Sequence, residues 1–178
     1  MTTANDVLTF WREAGPQAWF AKDAAFDTRF RTRFERAHEQ AASGELSEWE
    51  ATPEGALALI LLLDQFPRNC FRDTPRMFAT DSLAVGAADR AVAAGHDLAV
   101  PEDLRAFVYL PYEHAEDMAL QDRAVELMRP LGGETLRYAE IHRDVIRRFG
   151  RFAHRNKILG RESTPEEQAF LAAGGFAG

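Results

Sequence analysis

The chain has 178 residues, 46% hydrophobic and 28% charged, with a net charge of -7 and a single cysteine, Cys70. That length can bury a proper core as one domain spanning residues 1–178. The acidic balance argues against bulk attraction to nucleic acid or anionic lipid, and a lone cysteine excludes an internal disulfide.

A reducing, cytoplasmic setting is therefore expected. The opening residues show no basic region followed by an apolar run, so no secretory signal is expected. The longest apolar run, Ala56–Leu63, is far short of a membrane span.

In chain order the spacing predicts helices near 6–14, 17–43 with a break near Lys22, 53–66, 75–80, 82–94, 102–118, 119–130, 134–151 and 165–172. Phe26, Phe30 and Phe34 recur every fourth residue, and Ala37 and Ala41 continue that stripe. Leu57, Ile60 and Leu61 form a second one. Tyr138, His142, Val145, Phe149 and Phe152 form a third, in steps of four and three. Thr52-Pro53, Thr74-Pro75 and Thr164-Pro165 each pair a capping hydroxyl with proline at the first helical position. Glu167 would complete a capping box with Thr164. Gly15, Gly44, Gly95 and Gly132-Gly133 stand where helices should end or turn. No segment alternates with the strand period, so an all-α fold of stacked antiparallel helical hairpins is expected. The final AAGGFAG is expected to fray.

Two segments concentrate polar groups within an apolar frame. Pro67 should end the preceding helix near Phe66, leaving Asp64, Gln65, Arg68 and Asn69 at a helix terminus. They could line a pocket, or they could pair with one another and satisfy loose backbone groups. The second segment, Arg137–Arg161, holds seven Arg and one Lys against Glu140 and Asp144. It contains Arg151, His154, Arg155 and Asn156, so Arg155-Asn156 repeats Arg68-Asn69. Internal pairing with acidic faces and the holding of an anion both remain open. Arg143, Arg147 and Arg151 share a helical face suited to phosphates. The acidic remainder of the chain makes nucleic acid an unfavoured partner.

Between these segments lies YLPYEHAED, Tyr109–Asp117, where Pro111 should kink or break a helix and re-aim Glu113, His114 and Glu116. His114 and Glu116 are candidates for acid–base chemistry, with Asp117 better placed than Glu116 to share a face with His114. His154, beside Arg151 and Arg155, should have its proton affinity lowered and could act as a base or an anion-site donor. His142, within an apolar seam, is expected to be a hydrogen-bonded core residue. Cys70 is expected to be a buried thiol. No HExxH, CxxC or paired-histidine spacing predicts a metal, and no cofactor is indicated.

At these motifs the chain resembles a bacterial family known as "domain of unknown function 924". The likeness rests on DQFPRN at Asp64–Asn69, Y-x-P-x-x-H-x-E at Tyr109–Glu116, FGR-x-x-HRN at Phe149–Asn156, and LGR followed by STPEE at Leu159–Glu167. It covers nearly the whole chain. The resemblance implies an all-α fold similar to tetratricopeptide-like superhelices and implies no established activity. Ala153 stands where the family usually has proline, and Ala115 where serine is common, which removes a hydroxyl from any relay around His114.

Two functional expectations follow. In the first, Arg68, Arg151 and Arg155 clamp a small anionic molecule and Asn69 and Asn156 orient it. His114 with Glu116, or His154, then supplies proton transfer. This needs the two Arg-Asn pairs within about 10 Å of each other, one ligand's length in a pocket of ordinary size. In the second, a tetratricopeptide-like groove binds a protein partner and the polar motifs brace loops.

Overall fold

The computed structural model describes residues 2–178, and the described residues form helices and no strand. Contacts divide the chain into two compact units. The N-terminal unit comprises residues 1–72 and 76–111, and the C-terminal unit comprises 73–75 and 112–178.

The N-terminal unit is built from α1 (Ala4–Ala14), α2 (Pro16–Trp19), α3 (Ala24–Ala42), α4 (Pro53–Ile60), α5 (Phe66–Cys70), α6 (Asp81–Ala93), α7 (His96–Ala99) and most of α8 (Glu102–Glu113). The break expected near Lys22 falls between α2 and α3. Asp23 restarts the helix there by accepting from the Ala25 and Phe26 amides. The predicted stripe Phe26, Phe30, Phe34, Ala37 and Ala41 is buried. Phe10 of α1 packs within 5.3 Å of all three phenyl rings. Trp11, Trp19 and Phe107 complete an edge-to-face cluster, an arrangement in which ring edges meet ring faces. α4 packs against α1 and α6 and lies directly on the 3-10 turn Ser47–Ala51. A Cβ at Gly55 would overlap the Trp49 carbonyl, so only glycine permits that approach.

Pro67 does not end the helix near Phe66. The chain continues from α4 through a π turn, Leu61–Gln65, into α5. The π turn widens the helix so that the Phe66 amide reaches back to Leu61 O, which accommodates a proline that cannot donate. Side chains take over the carbonyls around it. Leu62 O accepts from His38 Nδ1 at 2.8 Å and Leu63 O from Thr80 Oγ1 at 2.5 Å. Asp64 O accepts from Arg68 Nη1 and Gln65 O from Asn69 Nδ2, both at 2.9 Å. The helix survives its proline because every carbonyl from Leu62 to Gln65 has a side-chain donor.

In the C-terminal unit, α9 (Met118–Met128) packs against α10 (Gly133–Phe149), and α11 (Pro165–Ala172) packs on the 3-10 turn Ala153–Arg155. The capping box of Thr164 and Glu167 forms as expected. Gly150 ends α10 with a left-handed φ of 70°. The core here is Val145, Ile146 and Phe152, with Met118, Phe149, Phe170 and Phe176 packed against it. Tyr138, the first residue of the predicted seam, is 45% exposed.

Candidate functional site

The segment after α10 folds onto itself through charged hydrogen bonds. Arg151 donates to both oxygens of Glu167, from Nε at 2.7 Å and Nη2 at 2.9 Å. Asn156, fully buried, donates to Glu167 Oε2 and Ser163 Oγ and accepts from Arg161 Nε at 2.9 Å. Arg161 grips Glu116 with two parallel bonds of 2.6 and 2.8 Å, and Glu116 Oε1 also accepts from the Phe152 amide. Burial pushes the Glu116 carboxyl up, but Arg161 and the Phe152 amide hold it below the usual carboxylate range. The Arg151 guanidinium, with the Thr164 amide, holds Glu167 down to about 2. Arg151, Asn156 and Glu116 are thereby joined in a brace that closes the loop between α10 and α11.

The basic balance of this segment is matched internally. Arg137, Arg143, Arg147, Arg148, Arg151 and Arg161 each have a carboxylate within 3.9 Å.

A different group of residues gathers around the Phe152 ring. Arg155, 6% exposed, lies over the Phe152 ring at 4.5 Å and donates from Nη2 to His114 O at 2.9 Å. The His142 ring stands 6.2 Å from His114 and 5.5 Å from Phe152, and the His154 ring 5.7 Å from Phe152. Two imidazoles and a guanidinium therefore surround one phenyl ring, with the His114 ring beside that of His142. His142 Nδ1 lies 2.8 Å from Tyr138 O and 3.1 Å from Glu113 Oε1. Both are acceptors, so Nδ1 carries the proton and Nε2 keeps its lone pair. Burial, reinforced by His114, pushes His142 down to about 3. Burial and then Arg155 push His154 down to about 4, and among the described residues its buried Nδ1 meets no hydrogen-bond partner. Both rings are neutral near pH 7.

Over residues 7–175 the chain matches the family described as "Bacterial protein of unknown function (DUF924)". The chain belongs to the DUF924 family. A solved structure described as "Structure of Protein of Unknown Function ATU0120 from Agrobacterium tumefaciens" is 59% identical to it. The two superpose with a TM-score of 0.94 over 96% of this chain and 97% of that one. No curated protein matches the sequence.

The family motifs divide between the two units of this DUF924 chain. DQFPRN lies in the N-terminal unit, where Arg68 is held by Asp64 at 3.0 Å and by Asp81 at 2.8 Å. Gln65 donates to Asp64, and Asn69 accepts from Arg72, which is itself paired with Asp27. HRN lies in the C-terminal unit with His114, Glu116 and His142. Asp117, weighed as a partner for His114, caps α9 through the Leu120 amide. The carboxyl that meets an imidazole is Glu113, which sequence reasoning did not select. Its signals were its place beside His114 and a histidine four residues after Tyr138, the spacing at which an imidazole reaches back to a helical carbonyl.

Among the described residues no three of His, Cys, Asp and Glu are arranged to hold a metal ion. Burial, then Asp27, pushes the Cys70 thiol up to about 12, so it is no thiolate at neutral pH. An open cleft of about 560 Å³ in the N-terminal unit is lined by Thr2, Asp6, Arg33, Phe34, Arg36 and Gln40. None of these was a candidate residue, and Arg33 there already approaches Asp6 at 4.0 Å. Among the described residues no helix is long and apolar enough to cross a membrane.

Proposed function

We propose that the C-terminal unit binds a small anionic molecule beside Arg155 and accepts a proton from it at His142 Nε2. The supporting observation is the contact of Glu113 with His142 Nδ1 at 3.1 Å, with Tyr138 O sharing the same proton. A buried carboxyl on one ring nitrogen fixes the tautomer and leaves the other nitrogen as a base, the relation by which many enzymes aim a histidine. His114 and His154 add polar nitrogens, and Arg155 supplies the charge that attracts an anion. Glu116, Arg151 and Asn156 hold the loop that carries His154 and Arg155. Asp64, Gln65, Arg68 and Asn69 serve the π turn of the N-terminal unit.

Binding is tested by thermal shift with inorganic phosphate, phosphate monoesters and small carboxylates on wild type, Arg155→Gln and His154→Gln. An anion at a hundredfold excess over its Kd stabilises the native state by about 2.7 kcal/mol. The expected result is stabilisation of wild type that both variants lose while remaining folded. Equal stabilisation of all three proteins would rule the site out.

A further inference from the structure

We infer that residues 173–178 form a displaceable lid over the histidine cluster, closed by the ring of Phe176. The path of the chain supports this. α11 is anchored at its start by the Thr164–Glu167 capping box, and it ends in tight turns. The amides of Ala173, Gly174 and Gly175 fold back onto Ala169 O, Leu171 O and Phe170 O. Gly174 takes a left-handed φ of 78°, and a Cβ on Gly175 would stand 2.5 Å from the Phe170 ring. The glycine pair thus sends the chain back across α11 and delivers Phe176 to the imidazoles.

Its ring centroid lies 4.3 Å from His142, 5.5 Å from His154 and 6.2 Å from Phe152. Gly178 continues along the same face, where a Cβ would stand 3.1 Å from His154 Nε2. The attachment is slight. Among the described residues no hydrogen bond ties Phe176, Ala177 or Gly178 to the remainder of the unit. Side-chain packing on the imidazoles and on the Val145, Ile146 and Phe152 core closes the cluster, and Phe176 itself is half-buried. Segments held by few contacts open locally at small cost. The lid lies at and beyond the edge of the family match, which ends at residue 175.

The lid would control access to the site proposed above and rests on that reading for its purpose. Its test does not depend on anion binding. Diethyl pyrocarbonate at pH 7 acylates accessible neutral imidazoles, and the modified peptides are read by mass spectrometry. In Phe176→Ala, modification of His142 should rise about tenfold or more, as the open population grows. His38, buried in the N-terminal unit, should stay protected and so report that the chain remains folded. Gly175→Ala, which forces the turn off Phe170, should produce the same rise. It carries the comparison if Phe176→Ala unfolds and exposes His38. An unchanged His142 rate in a folded variant would overturn the lid. Loss of anion stabilisation in wild type would instead sink the proposed function and leave this rate untouched.

Discussion

At the level of single residues, the C-terminal unit contrasts a side chain tied on every polar atom with a ring tied at one nitrogen. Asn156 is the clearest holding residue. Its amide satisfies Glu167, Ser163 and Arg161 at once in a fully buried position. Replacing it with alanine leaves the Arg161 and Glu167 contacts incomplete, and a buried polar group left unpaired costs about 1–3 kcal/mol. Asn156→Ala should therefore lose about 2–3 kcal/mol in urea denaturation. Lys157→Ala, one residue away and exposed, should stay within about 0.5 kcal/mol of wild type. His142 is the contrasting case: Nδ1 meets Tyr138 O and Glu113, and among the described residues Nε2 makes no hydrogen bond. In an NMR titration its ring signals should hold their neutral positions down to pH 5, because burial keeps its pKa near about 3. Signals that moved with a midpoint near the ordinary 6.5 would refute the buried, Glu113-oriented ring.

At the level of elements, Pro67 and Gly55 show how backbone demands choose side chains. A proline between two helical segments removes a donor and crowds the preceding turn. The π turn at Leu61–Gln65 relieves the crowding, and His38, Thr80, Arg68 and Asn69 supply donors to its carbonyls. Thr80→Val keeps the shape but strands Leu63 O, and should cost about 1–3 kcal/mol by chemical denaturation. A Thr80→Val protein as stable as wild type would mean that this carbonyl finds another partner. Gly55→Ala should be at least as damaging, since the new methyl group meets the Trp49 backbone and one element must shift. Its midpoint in the same urea assay should fall, with near-UV circular dichroism reporting the disturbed Trp49 environment.

At the level of the whole molecule, pH links these local arrangements to stability. His142 and His154 have native pKa values near about 3 and about 4, below the ordinary 6.5, so below pH 6.5 the unfolded chain binds protons that the native state refuses. Glu167, held to about 2 against an ordinary 4.5, acts with the same sign at lower pH. Stability should thus be fully present above pH 6.5 and fall progressively as pH drops towards 3. Thermal melts at pH 7.5 and pH 5 should differ in wild type, and the difference should shrink in His142→Phe. A melting temperature independent of pH over this range would contradict the buried neutral imidazoles. By itself the sequence determined the all-α class, the caps at Thr52 and Thr164, the aromatic stripe of α3 and membership of the family. Each is written in local spacing, in which a helical period or a capping hydroxyl acts on residues three or four positions away. Only the tertiary structure decided that Arg151 faces Glu167, that Glu113 rather than Glu116 meets an imidazole, and that Phe176 covers His142. Those pairings depend on where whole elements dock, and an ion pair or ring contact between distant residues leaves no period in the chain for a reader to find.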